Sequence, residues 1–327
     1  MNAFLASVVA SYPAVYRPLS PPESLGNAGG MSGARLWRYP STAGLLVVRA
    51  WPMGVDRTQI ELIHSWLKHA EKLCVVPIPL SANGGRTVQE HGGVCWEVCP
   101  WMPGAACLES PPTAGKVASA FATLAAFHLA MGNPQESDFC PGLATRSLEI
   151  KTLVRGDLAT LKRSVLSHPD DPLRVLAMRW LDCAQKGATK LEPEISRMAC
   201  VRTPVQPVIR DARPDHFLFT GDAVTGLVDF GAMAIDAVSA DLARLLSEWI
   251  EPNPILRSLA LTSYERVRPL APVELTLIDG YERSAALLGG GRWIKWHFLD
   301  RISFDNPKAV RLGLERGVER IERLIAG

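Results

Sequence analysis

The order of secondary-structure patterns along the chain is the feature that most constrains its fold. The first hundred residues contain four short runs of β-type residues, at 34–39, 45–51, 87–91 and 94–99. One helical pattern begins at Asp56 between the second and third runs. From Thr113 onwards apolar residues recur at helical spacing, apart from a second block of short β-type runs at 201–231. Because sheet and helix are segregated rather than alternating, the sequence predicts an α+β class, with a small β-rich part first and a larger helical part second.

Composition and charge narrow the class of protein. The 327 residues are 47% hydrophobic and 21% charged, as in ordinary globular proteins. The 35 basic and 33 acidic residues leave a net charge of +2, whereas nucleic acids and anionic membrane surfaces require a clustered basic field. The chain also lacks the run of about 18 apolar residues that a membrane-spanning helix needs. We therefore predict neither a nucleic-acid partner nor a membrane partner.

The cysteines and the first residues bear on the cellular compartment. The seven cysteines are widely spaced and form no C-x-x-C pair, which argues against a zinc site and against a disulfide framework. We expect them to be buried, reduced thiols. The opening stretch MNAFLASVVASYPAV has no basic residue before its short apolar run, unlike a signal peptide. These features predict a cytoplasmic protein.

Two aspartates in the second β-type block suggest a chemistry. Asp211 lies in a polar loop between short apolar runs, and Asp229 follows the apolar run 226–228, eighteen residues later. Carboxylates at the ends of adjacent short strands can converge on one point. Phosphoryl transfer uses such a pair, because one carboxylate accepts the proton of the nucleophile and another holds the Mg²⁺ that bridges the nucleotide phosphates. Taken without their neighbours, the two residues are better interpreted as solvated loop aspartates.

The surrounding residues resemble a known signature. Segment 208–246 is similar to the Brenner-type signature of the aminoglycoside phosphotransferase, choline kinase and homoserine kinase-like family, which reads approximately His-Gly-Asp-x-His-x-x-Asn, a hydrophobic strand, Asp-Phe and a later Asp-Leu-Ala. The matching positions are Ile209-Arg210-Asp211, His216, Leu227–Gly231, Asp236 and Asp241-Leu242-Ala243. The resemblance implies a bilobal protein-kinase-like fold. It places a nucleotide-binding lobe at 1–103 and a helical catalytic and substrate lobe at 104–327.

The same resemblance implies roles for individual residues. Asp211 would be the catalytic base, Asp229 a metal ligand, and Asp241 a buried residue that braces the catalytic loop. His216 stands where the family has an Asn as second metal ligand, and an imidazole suits Mn²⁺ better than Mg²⁺. A packed loop histidine without a metal role is an equally good interpretation of His216. Ile209 replaces the first His of the signature.

Residues of the first hundred are candidates to bind a nucleotide. The glycine-rich stretch 27–33 precedes strands and is not followed by G-K-[ST], so neither a Walker A loop nor a Rossmann fingerprint fits, but a glycine hairpin can lay backbone N–H groups over phosphates. By resemblance Arg49 contacts the α/β-phosphates, Glu61 is the helix carboxylate that pairs with it, and the backbone of 94–104 holds adenine. An exposed strand arginine and an ordinary sheet strand are the alternatives. The nucleotide-binding candidates are Gly29, Gly30, Ser32, Gly33, Arg49, Glu61, Val98 and Cys99.

The function that the resemblance implies is transfer of the γ-phosphate of ATP to a hydroxyl of a small molecule, with Mg²⁺ or Mn²⁺. The alternative is a catalytically impaired nucleotide-binding or regulatory protein on the same fold, since Ile209 and His216 depart from the signature. Residues 251–327 contain 12 Lys/Arg and 10 Asp/Glu, which offers no acidic excess for a polycationic aminoglycoside. We therefore predict a neutral or zwitterionic hydroxyl or amino-alcohol acceptor.

Overall fold

The structure is a computed structural model that describes residues 3–26, 33–73, 75–107, 109, 111–302 and 307–326. The chain divides into two compact units. The first unit contains Met1–Asn133, Ile209–Ala234 and Glu248–Pro269, and the second contains Pro134–Val208, Ile235–Ser247 and Leu270–Gly327. Because the first unit includes segments from both sides of the predicted boundary at 103/104, the division of the sequence into those two lobes stays a prediction.

The strands and helices of the described residues follow the predicted order. The strands are β1 (Glu23–Gly26), β2 (Arg35–Ser41), β3 (Gly44–Ala50), β4 (Gln89–His91), β5 (Val94–Pro100), β6 (Ala105–Ala106), β7 (Gln135–Ser137), β8 (Thr203–Val208), β9 (Phe217–Thr220), β10 (Ala223–Leu227) and β11 (Ala234–Asp236). The helices are α1 (Ala3–Ala10), α2 (Arg57–His69), α3 (Ala114–Ala130), α4 (Pro141–Thr152), α5 (Leu158–Leu166), α6 (Arg174–Ala199), α7 (Ser239–Leu245), α8 (Pro254–Glu265), α9 (Pro272–Ile294) and α10 (Pro307–Ala326). The α+β class is therefore confirmed.

An antiparallel sheet organises the start of the first unit. Its strand order is β1-β2-β3-β5-β4. Because successive residues of a strand point to opposite faces, each strand presents two different surfaces. Val48 and Val98 on one face pack with buried residues of α1, including Leu5 and Val8. Arg49 and every second residue of β5, those that point the same way as Arg49, lie on the opposite face. That face is the one toward α2.

The residues of helix α2 divide between one side that is buried in the core and one that is exposed to solvent. The Asp56 carboxylate caps the helix by accepting the Thr58 N–H at 2.9 Å. The buried residues of α2 recur every three to four positions and are Ile60, Ile63, His64 and Leu67. Such a stripe covers one side of a helix with 3.6 residues per turn. Glu61 falls outside this stripe.

The remainder of the first unit combines a small sheet with helices. Strands β9 and β10 form an antiparallel hairpin, and β6 pairs with the other edge of β9. Helices α3 and α8 pack against each other. His128 is fully buried on α3, and its Nδ1 lies 2.7 Å from Tyr264 Oη on α8. The ring of Phe127 stacks on Phe230 with centroids 5.4 Å apart, which holds the residue that follows Asp229.

The second unit is mainly helical, with the short sheet β11-β8-β7. Helices α6, α9 and α10 pack together, and the buried indole of Trp180 contacts Gly290 so closely that a Cβ there would lie 2.3 Å from the ring. Asp236 is 1% exposed, and its Oδ1 accepts the N–H of Gly142 at 3.0 Å and the hydroxyl of Tyr281 at 2.6 Å. The predicted burial of Asp241 is confirmed, since it is 0% exposed. Its bracing role stays a prediction.

The cysteines confirm part of the expectation. Four free thiols are buried, those of Cys95, Cys99, Cys107 and Cys140. Burial raises the pKa of Cys140 to about 11. Cys183 is only partly buried and Cys200 is exposed, so the expectation of uniformly buried thiols is wrong for these two, and Cys74 lies outside the described residues. None of the helices described is long and apolar enough to cross a membrane.

Candidate active site

The two predicted functional aspartates lie in segments that adjoin the same end of one hairpin. Strand β9 begins at Phe217, directly after the loop that contains Asp211, and Phe217 pairs with Leu227 at the end of β10. Val228 N–H then donates to the carbonyl of His216 at 3.0 Å. The chain reaches Asp229 one residue later. The pairing of β9 with β10 therefore brings the two segments together, as expected for carboxylates at the ends of adjacent short strands.

The backbone of both segments is locally unusual. Among the described residues, the non-glycine residues with positive φ are Arg210, Asp229 and Arg301. Arg210 immediately precedes Asp211, and both Arg210 and Asp229 have a φ of 63°. The left-handed region costs an L-residue about 1–2 kcal/mol, and such conformations cluster where surrounding structure imposes them at functional sites. One of the three outliers is thus a predicted functional aspartate, and another directly precedes the other such aspartate.

Asp229 contacts the strand arginine of the first hundred residues. Arg49 Nη2 lies 3.4 Å from Asp229 Oδ1. The guanidinium also stacks on the Trp51 ring, with its central carbon 4.1 Å from the ring centroid. Gly231 leaves room for this stack, because a Cβ at that position would lie 3.1 Å from Arg49 Nη2. Arg49 is 17% exposed at its side chain, so it is not the exposed strand arginine that was the alternative.

His216 faces the same carboxylate. Its Nε2 lies 3.7 Å from Asp229 Oδ2, and the residue is 7% exposed. Within the described part of the chain, its buried Nδ1 has no hydrogen-bond partner. An imidazole nitrogen and a carboxylate oxygen that converge in this way fit a divalent cation, the oxygen suiting Mg²⁺ and the nitrogen favouring Mn²⁺. No group of three or more His, Cys, Asp or Glu side chains suited to a metal ion occurs among the described residues.

Asp211 lies beside an arginine that the sequence did not single out. Asp211 is partly buried. Arg213 forms two short contacts with the carboxylate of Asp215, at 3.0 and 2.9 Å, and its Nε lies 4.0 Å from Glu248. Burial alone would lower the pKa of Arg213, but the charges of Asp215, Glu248 and Asp211 outweigh it and raise the pKa. The candidate base therefore has a permanently charged neighbour.

Glu61 does not take the position expected of it. Its carboxylate lies 3.5 Å from Arg57, one turn earlier on the same helix, and its side chain is 39% exposed. Arg49 contacts Asp229 instead. The expected pairing of Glu61 with Arg49 is therefore not formed, because the rotation of about 100° per residue turns Glu61 away from the buried stripe of α2. Its role in binding a nucleotide stays a prediction.

A buried pair that sequence reasoning missed lies where Glu61 was expected. His64 Nε2 lies 2.7 Å from Glu97 Oε2, and His64 Nδ1 lies 2.7 Å from Thr87 Oγ1. His64 and Glu97 are 6% and 7% exposed. Burial by itself would raise the pKa of Glu97, but the hydrogen bond and charge of His64, together with the charge of Arg49, hold that pKa below its usual range. Two signals could have found the pair, a histidine in the apolar stripe of α2 and a lone carboxylate within an apolar strand.

These side chains surround one cavity of the first unit. Its lining residues are Arg49, Trp51, Ile63, His64, Leu67, Pro77, Pro79, Glu97, Cys99, Asp229, Phe230 and Gly231. Cys99 faces the cavity, whereas Val98 is 0% exposed in the core on the opposite face of β5. The Val98 carbonyl already accepts the N–H of Leu80 at 2.8 Å. An adenine-binding role for Val98 and Cys99 stays a prediction.

The glycine-rich loop is described only at its end. Gly29, Gly30 and Ser32 lie outside the described residues. Gly33 has a φ of 78° and open space where a Cβ would stand, so the backbone conformation itself favours glycine there. Phosphate binding by this loop stays a prediction.

The sheet with α2 on one face, the mainly helical remainder and the hairpin flanked by both aspartates define a protein-kinase-like fold, as predicted. Two solved structures show the same fold. The amicoumacin kinase hAmiN in complex with AMP-PNP, Ca²⁺ and Ami aligns with a TM-score of 0.64 at 14% identity, covering 99% of this chain and 94% of its own. A microcompartment-associated aminopropanol kinase aligns with a TM-score of 0.59 at 14% identity, covering 98% and 97%.

Sequence comparison assigns the family. The model of the phosphotransferase enzyme family (APH) matches residues 25–270, and this chain belongs to that family. A homoserine kinase of Rhodospirillum rubrum (strain ATCC 11170) is 31% identical over 145 residues, which cover 41% of this chain. The match spans 45% of that relative, less than half of its length. The family and the fold are thereby established.

Proposed function

We propose that this protein is an ATP-dependent phosphotransferase that transfers the γ-phosphate to a hydroxyl of a small molecule. The observation that supports this most directly is the convergence of Arg49 and His216 on Asp229, with Asp211 leaving the same end of the hairpin. Phosphoryl transfer depends on positioning and on charge stabilisation, and this arrangement supplies both. Membership of the phosphotransferase family is consistent with it.

Each residue has a chemical task in this proposal. The Asp211 carboxylate accepts the proton of the acceptor hydroxyl as that oxygen attacks the γ-phosphorus. Arg49 binds the α/β-phosphates with a guanidinium that stacks on the Trp51 ring. Asp229 and His216 would hold a divalent cation, Mg²⁺ or Mn²⁺, which supplies charge neutralisation on the phosphates. The amicoumacin kinase with AMP-PNP and Ca²⁺ supports a nucleotide and a divalent cation on this fold.

The proposed acceptor is a small neutral or zwitterionic amino alcohol. Residues 251–327 offer no acidic excess for a polycation. The local match to a homoserine kinase and the fold shared with an aminopropanol kinase support the same class, since both names denote small molecules with an amine and a hydroxyl. The alternative, a nucleotide-binding regulatory protein, rests on His216 and Ile209, which replace the Asn and the His of the family signature.

The test measures ADP release from ATP with Mg²⁺ or Mn²⁺ and a panel of homoserine, aminopropanol and an aminoglycoside. We expect turnover with an amino alcohol, and Asp211→Asn should lower it by about 10² or more while nucleotide affinity is kept. Asp138→Asn, an exposed aspartate outside the site, is the matched control. Nucleotide binding without turnover of any acceptor would favour the regulatory alternative, and turnover of the aminoglycoside alone would overturn the proposed acceptor.

A further inference from the structure

Arg49 has a second carboxylate neighbour besides Asp229. In the antiparallel pair β3–β5, Arg49 is the register partner of Glu97. Directly opposed residues share a face of the sheet, with Cβ atoms about 4.5–5.5 Å apart. Both side chains line the same cavity, and Glu97 is 7% exposed. The Arg49 charge therefore lies beside a carboxylate that water scarcely screens.

The orientation of Glu97 is fixed by helix α2. His64 Nε2 contacts the Glu97 carboxylate at 2.7 Å, and the other ring nitrogen contacts Thr87 Oγ1 at the same distance. With both nitrogens engaged, the imidazole cannot rotate without losing a contact. A movement of α2 would consequently move the carboxylate that faces Arg49.

The two carboxylates near Arg49 would have different roles when a nucleotide binds. Asp229 is 47% exposed at its side chain and is the proposed cation ligand, so a bound cation would compete with Arg49 for it. Glu97 is buried and has no such second task. Glu61, the expected helix carboxylate, is directed to Arg57.

We propose that Glu97 is the positioning residue that holds the Arg49 guanidinium toward the nucleotide phosphates, and that His64 couples its orientation to helix α2. The carboxylate that orients the phosphate-binding arginine comes from strand β5, and the helix contributes an imidazole instead of a glutamate. This inference rests on the proposed nucleotide-binding function.

The test compares ADP with adenosine by titration calorimetry, for the wild type, Glu97→Gln and the matched control Glu90→Gln, an exposed glutamate of β4 outside the cavity lining. Loss of the Glu97 charge should weaken ADP binding about 10-fold, because Arg49 is then drawn to Asp229, while adenosine, which lacks phosphates, binds as before. Glu90→Gln should bind both ligands like the wild type. Should Glu97→Gln fail to fold, Glu97→Asp keeps the charge but withdraws it by one methylene, and should also selectively weaken ADP binding.

A double-mutant cycle separates positioning from a general structural effect. If Glu97 acts through Arg49, Glu97→Gln should add little further loss of ADP affinity in an Arg49→Met background. An unchanged ADP affinity in both Glu97 variants, an equal loss of ADP and adenosine, or full additivity with Arg49→Met would overturn the inference alone. If the wild type binds ADP no more tightly than adenosine, with or without Mg²⁺ or Mn²⁺, the result would overturn the proposed function and the inference with it.

Discussion

Arg49 Nη2 lies 3.4 Å from Asp229 Oδ1, although 180 residues separate the two in the chain. The contact joins the antiparallel sheet to the hairpin that bears the predicted catalytic residues, within one compact unit. It also brings the proposed phosphate-binding arginine and the proposed cation ligand to the lining of one cavity. The consequences can be tested residue by residue.

Asp229→Asn should abolish cation-dependent nucleotide binding and leave the fold nearly unchanged. The substitution removes the charged oxygen that Mg²⁺ requires, whereas asparagine tolerates the left-handed backbone at a φ of 63°. Because the Asp229 side chain is 47% exposed, loss of its pair with Arg49 should change the free energy of unfolding by less than about 1 kcal/mol. Calorimetric titration of ATP with and without cation, beside urea unfolding, measures both effects. A cation-dependent affinity equal to that of the wild type would contradict the assignment of Asp229.

His216→Asn should reverse the preference between metals. A nitrogen ligand tilts the site toward Mn²⁺, and an amide oxygen tilts it toward Mg²⁺. We expect ATP to bind the wild type more tightly with Mn²⁺ than with Mg²⁺, and the variant more tightly with Mg²⁺. Nucleotide affinity is measured with each ion for both proteins. An identical ratio in the two would identify His216 as a packed loop residue, whose imidazole faces Asp229 without binding the cation.

The buried Glu97 should make stability fall in acid. Its folded-state pKa is held below the usual range, so its contribution is fully present above about pH 4.3, the ordinary value for glutamate, and is lost as pH falls through the lower folded value. The unfolding free energy of the wild type should therefore decline below about pH 4.3, and Glu97→Gln should show a shallower decline. Urea unfolding at a series of pH values from neutral to acid gives the two slopes. Parallel curves would refute the stabilisation.

Two adjacent glycines of α9 should respond to alanine in opposite directions. A Cβ on Gly290 would lie 2.3 Å from the Trp180 ring, whereas a Cβ on Gly289 would have no heavy atom within 4 Å. Gly290→Ala should destabilise the protein by about 1–3 kcal/mol through overpacking. Gly289→Ala should stabilise it by about 0.5–1 kcal/mol through its greater helix propensity, and serves as the matched control. Thermal unfolding compares them, and an equal shift in both variants would rule out the close packing of Trp180.

Local pattern determined most of the elements. Alternation and turn residues predicted β2 to β5, and the stripe of α2 predicted its buried side. The short apolar runs beside Asp211 and Asp229 predicted that the two lie at the ends of adjacent short strands. These features depend on residues a few positions apart, where the geometry of strands and helices alone fixes the outcome. The family assignment also followed from such a local signature, since its spacings persist within one segment.

The partners of each charge were decided by tertiary structure. The family resemblance assigned Glu61 to Arg49, but in the folded protein Glu61 pairs with Arg57, and α2 presents His64 to the cavity. Glu97 meets His64 across 33 residues and Arg49 across a strand pairing, so its carboxylate acquires its role only when the sheet forms. The sequence by itself determined which side chains with acid, base and phosphate-binding chemistry are present and on which elements they lie. Which of these side chains contact each other was decided only in the folded protein, because a buried charge requires a partner. The register of the strands and the rotation of a helix select that partner, rather than distance along the chain.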